Sequence, residues 1–379
     1  MTVVKKRLGL DLQGLALRLL FGRWRRPPCL EEGYSILLPM PMDMAFLLRH
    51  ALDGLRRLDT THCKQIVVIP DSWGNDGGRG LRRVVESADD SRVHLVELRP
   101  AARVLIHRLA KSVGAAANIS HWAMIVEGID ATHCEHAFLH DADAFFLDVD
   151  GLERQYRECC ERTMDTLGVQ ARWDPFFEEI GYTIPGTWEL MFSTRWARRR
   201  DPTTLKGRWR SSPHGVYEFD TMLYPQYLDF PTGRIGVIDP PPRFVHFASA
   251  VTTYRIFRYA PRPSVVDEMF RLLSLALLEE LLPGADRALP TVAELARGLT
   301  DSTAPVTYDS RVALEQYPTF RRSIDHLCQV PIFQGACAQR IRELIRPFDE
   351  HFHGRTSTGA APGESGTPSP RRIRRHGLA

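Results

Sequence analysis

Short apolar runs alternate with longer amphipathic stretches over the first half of the chain. Four runs have the length and composition of buried strands: Tyr34–Pro39, Ile66–Ile69, Val93–Leu98 and residues 136–139. Residues 43–58 and 103–129 carry apolar side chains at helical spacing, and the second stretch contains a break or bend near Gly114. Strands that alternate with helices in this way predict an α/β fold whose sheet is mainly parallel.

The pattern changes after Asp150. A helix is predicted over 151–166, followed by two short apolar runs, Thr187–Phe192 and Arg234–Ile238. The polar, basic stretch 195–214 between those runs is typical of a mobile loop over a site. The pattern divides the chain into four parts: an N-terminal amphipathic segment (1–29), an α/β domain (30–260), a helical C-terminal region (261–353) and a basic tail rich in Gly, Ser and Pro that is predicted to be disordered (354–379).

Composition narrows the class of protein. Apolar residues make up 44% of the 379 and charged residues 25%, as in an ordinary globular protein. The net charge is only +3, and part of the basic charge lies in the two ends of the chain, which does not favour a nucleic-acid-binding surface. Seven cysteines without a regular framework indicate reduced thiols and a cytoplasmic protein.

The segment Leu8–Phe21 is apolar but contains Asp11, Gln13 and Arg18. It is shorter and more polar than a membrane span, which needs about 20 apolar residues. It also lacks the small-residue cleavage site of a secretory signal. We interpret it as an amphipathic helix docked on the main domain, and the alternative is peripheral contact with a membrane through residues 5–26.

The fourth apolar run ends at two carboxylates, Asp141 and Asp143, spaced i, i+2. The carboxyl ends of parallel strands are where ligands and metals bind in such sheets. Two acids without an intervening Lys or Arg repel each other unless a cation or a shared proton intervenes, so the pair predicts a divalent metal that carries a phosphate. Asp71 ends the second strand in the same way, and residues 59–71 and 130–141 have similar sequences.

The two similar segments each contain a His-Cys pair, His62-Cys63 and His133-Cys134. A zinc site formed by these pairs is an alternative to be considered. However, the pairs lie at the amino ends of strands, and their spacing is not that of a local zinc motif. Similar turn geometry is the favoured interpretation.

Four pieces of the first half occur in the order found in the GT-A glycosyltransferases, and their inverting family 2-like group is the closest resemblance. The pieces are Leu37–Pro39 with its following helix, Ile66–Trp73, Lys111–Asn118 and Asp141-Ala142-Asp143. The resemblance implies that Asp71 contacts the base, that Lys111 and Asn118 lie beside the nucleotide, and that Asp141 and Asp143 form the metal-binding Asp-x-Asp motif, with Asp141 also at the nucleotide-sugar.

The second half resembles the same group more faintly. Asp220 occupies the place of the catalytic base, with Glu218 as a second candidate, and His246 stands where many members carry a late metal ligand. The resemblance implies metal-dependent transfer of a sugar from a nucleotide-diphosphate donor to an acceptor hydroxyl, with inversion. The cofactor is Mn²⁺ or Mg²⁺, and an imidazole ligand favours Mn²⁺. The Gln/Arg-x-x-Arg-Trp signature of processive synthases is absent, which argues against a polymerising enzyme.

Other interpretations remain open at this point. A HAD-type phosphatase would use Asp141 as nucleophile and Asp143 as general acid, but that motif usually opens its domain, whereas three strand–helix units precede it here. A non-catalytic, transferase-like binding protein is the alternative from another class. A nucleotidyltransferase would favour a Gly-rich basic loop after the first strand, and residues 40–43 are not one. Asp220 is alternatively the N-cap of a helix at 221–228, and His246 a core residue.

Overall fold

The computed structural model describes residues 17–25, 30–71, 78–109, 113–171, 174–259, 269–282, 289–304 and 306–353. Within these ranges, one sheet contains seven strands: β1 (Glu31–Met40), β2 (Cys63–Pro70), β3 (Val93–Leu95), β4 (Cys134–Leu139), β6 (Thr166–Gln170), β7 (Pro185–Ser193) and β10 (Ile235–Val237). Their order is β10-β6-β7-β4-β1-β2-β3. Only β7 runs antiparallel to its neighbours, which confirms the predicted α/β fold with a mainly parallel sheet.

Two small antiparallel pairs accompany this sheet. The strand β5 (Ala144–Phe146) pairs with β11 (Phe244–His246), and β8 (Arg208–Ser212) forms a hairpin with β9 (Gly215–Phe219). The first pair joins the turn after β4 to a segment a hundred residues later in the chain. The sequence predicted a mobile loop over 195–214. Instead, Arg208–Ser212 within that stretch form a strand that is hydrogen-bonded to β9.

Helices cover both faces of the large sheet. Those before residue 200 are α1 (Ala45–Leu55), α2 (Arg79–Glu86), α3 (Pro100–Leu109), α4 (Val113–Ala131), α5 (Gly151–Glu161), α6 (Pro175–Glu179) and α7 (Thr194–Arg198). Those after it are α8 (Leu223–Asp229), α9 (Ala250–Tyr259), α10 (Met269–Glu280), α11 (Val292–Arg297), α12 (Ser310–Leu327) and α13 (Ala336–His353). Successive residues of β1 face opposite sides of the sheet. Ile36 and Leu38 belong to one buried apolar cluster, and Leu37 belongs to a second.

The predicted helical C-terminal region shares a core with the α/β domain. Its apolar side chains, among them Leu273, Leu277 and Phe348, belong to the same buried cluster as Ile36 of β1. A ring nitrogen of His50 in α1 is 2.8 Å from the carbonyl oxygen of Leu278. The C-terminal helices therefore cover one face of the sheet.

The described part of the N-terminal segment packs on α4. Residues 17–21 are helical, and the ring of Phe21 is fully buried with its centroid 4.8 Å from that of Trp122. Arg25 donates from Nε to Asp130 at 2.8 Å and also pairs with Glu127, two acids that are almost inaccessible. These contacts agree with the docked interpretation for residues 17–25. No helix among the described residues is long and apolar enough to cross a membrane.

Three boundaries differ from the sequence predictions, whereas the two helices α3 and α4 within 103–129 agree with the predicted break near Gly114. The third strand ends at Leu95 and not at Leu98. The helix predicted from 151 to 166 ends at Glu161, because β6 begins at Thr166. The helix predicted at 221 begins at Leu223 with Met222 before it, so Asp220 is not its N-cap. Lys111 and the tail 354–379 lie outside the described residues.

Candidate metal and nucleotide site

Asp141, Asp143 and His246 come together although 100 residues separate the motif from the histidine. One ligand atom from each lies within 4.8 Å of the others. Nε2 of His246 is 3.5 Å from Oδ2 of Asp141 and 3.5 Å from Oδ1 of Asp143. We call these three residues the metal cluster. The sequence predicted all three as metal ligands, and the structure places them side by side.

Strand pairing explains this proximity. The strand β4 ends at Leu139, and after a tight turn β5 begins at Ala144, which is paired with His246 of β11. The backbone N–H of Phe247 donates to the carbonyl oxygen of Asp143 at 3.1 Å. The β5–β11 pair therefore holds the imidazole beside the two carboxylates at the carboxyl edge of the large sheet, where ligands bind in α/β folds.

Burial and opposite charge shape the electrostatics of the metal cluster. Burial raises the pKa of Asp143, whose residue is 5% exposed, above its usual range. Burial also acts on Asp141, but the hydrogen bond and charge of His246 outweigh it and hold that pKa below its usual value. Burial alone would lower the pKa of His246, whereas the two carboxylates raise it to about 10. The two acids thus attract positive charge to this point.

The donor set fits a divalent cation. Two carboxylates and one imidazole that converge within one coordination sphere suit Mn²⁺, and the carboxylate oxygens also suit Mg²⁺. His246 is further fixed by Trp188 of β7, whose ring centroid lies 4.8 Å from the imidazole centroid. The structure thus places Trp188 against a metal-ligand candidate.

A buried acid that the sequence analysis did not single out lies beside the metal cluster. Oε1 of Glu189 is 2.7 Å from Nδ1 of His140, and both residues are buried. Burial raises the pKa of Glu189 despite the neighbouring His140. Glu189 also has φ +57°, a left-handed conformation that costs energy in a non-glycine residue. A charged residue inside the apolar run Thr187–Phe192 was the available signal.

Asp71 follows β2 at the same edge of the sheet, as predicted, and it is fully buried. Its carboxylate pairs with Arg255 of α9, and its Oδ1 accepts from the backbone N–H of Met42 at 3.1 Å. Burial lowers the pKa of Arg255 to about 10. Beside this pair, the hydroxyls of Tyr254 and Tyr259 donate to Oδ2 of Asp43 at 2.7 and 2.6 Å. Helix α9 is thereby tied to the segments that follow β1 and β2.

Of the remaining predicted residues, those that the structure describes make no contact with the metal cluster. Asn118 lies exposed on α4, and Lys111 is outside the described ranges. Asp220 and Glu218 are exposed at the end of β9, where Oδ1 of Asp220 accepts from the N–H of Thr221 at 2.7 Å. Among the described residues, no hydrogen bond or ion pair joins either acid to the metal cluster. Their catalytic role stays a prediction.

The His-Cys pairs lie at the opposite edge of the sheet. Ligand atoms of Glu31, His133 and Cys134 also lie within 4.8 Å of one another, and Nε2 of His133 is 2.9 Å from Oε1 of Glu31. His62 instead pairs with Glu153. The histidines of the two pairs thus have different acidic partners.

Comparison with known proteins gives structural likenesses only. No protein-family model matches the chain, and no curated protein matches it. The solved structures that resemble it include several glycosyltransferases.

Three of these structures illustrate the level of similarity. A mannosyltransferase from Pyrobaculum calidifontis, solved with GDP-mannose and Mn²⁺, is 14% identical over 94% of this chain and 92% of its own, with TM-score 0.37. TarS 1–349 of S. aureus is 13% identical over 86% and 88%, also at 0.37. Glucosyl-3-phosphoglycerate synthase from Mycobacterium tuberculosis is 13% identical over 57% and 74%, at 0.34. At identities and scores this low, the function has to be argued from the site.

Proposed function

We propose that this chain is a metal-dependent glycosyltransferase with a GT-A type fold, which moves a sugar from a nucleotide-diphosphate donor to an acceptor hydroxyl with inversion. One observation carries the proposal: Asp141, Asp143 and His246 converge at the carboxyl edge of a mainly parallel sheet. The sheet order also supports it, because β3-β2-β1-β4 places the metal cluster next to the strands that would flank a nucleotide.

The metal cluster would hold Mn²⁺ or Mg²⁺, which when bound neutralises charge on the leaving diphosphate. The protein's own residues orient the parts. Trp188 packs on the imidazole of His246, and the β5–β11 pair fixes that imidazole against Asp143. Asp71, which is held by Arg255, would lie in the wall of the site beside the nucleotide base. Asp220 is the proposed base that accepts the proton of the acceptor hydroxyl.

A phosphatase is less well supported by this arrangement. A HAD-type motif usually opens its domain, whereas β1, β2 and β3 precede Asp141 here. Here His246 lies 3.5 Å from oxygens of both acids, in a position to share one cation with them. A non-catalytic binding protein would keep the fold and lose turnover, so it is separated from an enzyme by experiment.

Thermal unfolding with UDP, GDP and dTDP, each with and without Mn²⁺, tests the proposed function. One nucleotide is expected to stabilise the protein only when Mn²⁺ is present, by about 2.7 kcal/mol at a hundred times its dissociation constant. CMP, a monophosphate, serves as the control because it lacks the diphosphate. If no nucleotide shifts the unfolding temperature in either condition, the glycosyltransferase proposal is wrong.

Replacing Asp220 with Asn is expected to lower the transfer rate about 10²- to 10⁴-fold, because the acceptor hydroxyl loses its base. Nucleotide affinity should stay the same, since Asp220 has no described contact with the metal cluster. The matched variant is Glu218→Gln, two residues earlier, in β9. Steady-state kinetics with the identified donor checks both. If only Glu218→Gln loses turnover, the base is Glu218; full activity of both variants places it elsewhere.

A further inference from the structure

The β8–β9 hairpin lies at the same edge of the sheet as the metal cluster. Tyr217 of β9 donates its hydroxyl to Asp174, and its ring stacks on Phe176 at 3.9 Å between centroids. Asp174 and Phe176 follow the carboxyl end of β6. Because β6 runs parallel to β4, that end faces the same way as the strand that leads to Asp141. The hairpin also ends one residue before the proposed base, Asp220.

Basic side chains are concentrated on one face of this hairpin. Arg208 and Arg210 alternate on β8 and pair across the ladder with Phe219 and Tyr217, so both occupy the more buried face. The guanidinium carbon of Arg210 lies 4.5 Å from the ring centroid of Tyr224. Lys206 precedes the strand and is also partly buried. We call Lys206, Arg208 and Arg210 the basic cluster.

The charge of the basic cluster is only partly offset within the described protein. Among the described residues, no ion pair joins any of its three members to an acid, and the buried Nε atoms of Arg208 and Arg210 have no hydrogen-bond partner. Among the described residues, Arg210 donates to the backbone carbonyls of Thr203 and Thr204, at 3.3 and 3.4 Å. The carboxylate of Asp201, whose Oδ1 accepts from Thr203, offsets part of the charge of Arg208 without forming an ion pair with it. The guanidinium groups therefore keep unused donors.

The lowered pKa values of the basic cluster also indicate that its positive charges repel each other. Burial and the charge of Arg208 lower the pKa of Arg210 to about 10, and burial together with both arginines lowers that of Lys206. Arg18 of the N-terminal segment is close enough to lower the pKa of Arg208 and Arg210 as well. Basic groups that repel each other while half buried are stabilised by a bound anion.

We propose that the basic cluster binds the phosphate group of a phosphate-bearing acceptor. This inference rests on the proposed function, because it assigns the acceptor side of that same site. Two guanidinium groups side by side match the oxygens of a phosphate, and arginine is well suited to such bidentate contacts. Arg208 and Arg210 belong to the hairpin that ends at Phe219, directly before Asp220, so a bound phosphate ester would bring its hydroxyl towards the proposed catalytic base.

The phosphate can belong to a small ester or to a lipid headgroup, and the experiment has one arm for each. Calorimetry measures binding of glycerol 3-phosphate, with glycerol as the neutral control. Sedimentation measures binding to vesicles of the anionic lipid phosphatidylglycerol, with vesicles of phosphatidylcholine, whose phosphate charge is balanced by choline, as the control of zero net charge. The full chain is used in the wild type, in Arg208→Gln/Arg210→Gln, and in Arg311→Gln/Arg346→Gln, which removes the same charge from two highly exposed arginines.

We expect the wild type to bind one phosphate-bearing probe, and the Arg208→Gln/Arg210→Gln variant to bind it at least about tenfold more weakly, equivalent to about 1.4 kcal/mol. The Arg311→Gln/Arg346→Gln control should bind like the wild type. Because Arg210 donates to two carbonyls, Arg208→Gln alone is the second variant, and Arg208→Lys/Arg210→Lys should restore part of the binding. The proposal is overturned if neither probe binds the wild type. It is also overturned if Arg208→Gln and Arg208→Gln/Arg210→Gln both bind the probe as tightly as the wild type does.

Stabilisation by nucleotide and Mn²⁺ separates this inference from the proposed function. It should be unchanged in Arg208→Gln/Arg210→Gln, because the basic cluster does not contact the metal cluster in the described residues. Loss of phosphate binding with normal nucleotide stabilisation supports an acceptor site. Normal nucleotide stabilisation without any phosphate binding in the wild type rejects the acceptor inference and leaves the proposed function standing.

Discussion

Asp143→Ala is expected to lose Mn²⁺-dependent turnover by about three orders of magnitude. Asp143 is the more buried of the two acids in the metal cluster, and its Oδ1 lies 3.5 Å from Nε2 of His246. Without it, the cation has one carboxylate and one imidazole. A bound metal contributes several kcal/mol to stabilising the charge that develops in the transition state, and each 1.36 kcal/mol is tenfold in rate. Initial rates against Mn²⁺ concentration measure this effect.

The control for this variant is Asp150→Ala. Asp150 is an exposed acid at the start of α5, and its side chain makes no capping hydrogen bond. It should keep turnover and Mn²⁺ dependence at the wild-type level, while thermal unfolding without metal shows whether each variant is folded. Undiminished turnover of a folded Asp143→Ala protein would show that the metal cluster is not the catalytic centre.

Arg255→Ala is expected to reduce the free energy of unfolding by about 3 to 5 kcal/mol, the usual loss when one partner of a buried ion pair is removed. Asp71 is fully buried, and Arg255 is its ion-pair partner. Urea unfolding measures the change. Arg258→Ala, which removes an exposed arginine from the same helix, should cost less than about 1 kcal/mol.

The same measurements distinguish two roles for Asp71, an ion-pair partner of Arg255 and a direct contact of the nucleotide base. If Asp71→Asn combined with Arg255→Ala recovers part of the lost stability, the two side chains are coupled and the acid is held in the wall of the site. A loss below about 1 kcal/mol for Arg255→Ala would contradict the buried pair and favour direct contact between Asp71 and the nucleotide base, as the resemblance implied.

The sequence predicted β1, β2 and β4 well because they are largely buried and read as apolar runs. It overestimated β3, which ends at Leu95 and has His94 exposed. The same runs located Asp141 and Asp143, since residues at the carboxyl end of a strand follow from the strand itself. His246 was predicted from the order of motifs. Its distance from the two acids depends on the β5–β11 pair, which no local pattern specifies.

Side-chain pairs between residues far apart in the chain could not be predicted from the sequence for the same reason. Arg255 meets Asp71, and His140 meets Glu189, only after the chain has folded. The hairpin was misread as a loop because the more buried face of β8 carries Arg208 and Arg210, whereas the exposed face carries Trp209. Alternation with charged residues on the inner face reverses the pattern by which a strand is normally recognised.

One continuous stretch, residues 244–259, carries both His246 in β11 and Arg255 in α9. It therefore supplies the metal cluster with its imidazole and Asp71 with its counter-ion. In a chimera with a related chain, exchange of this whole stretch would transplant both contacts as one module. A crossover placed between His246 and Ala250 would instead take the histidine from one parent and the arginine from the other. One of these two side chains would then face acids that come from the other parent chain.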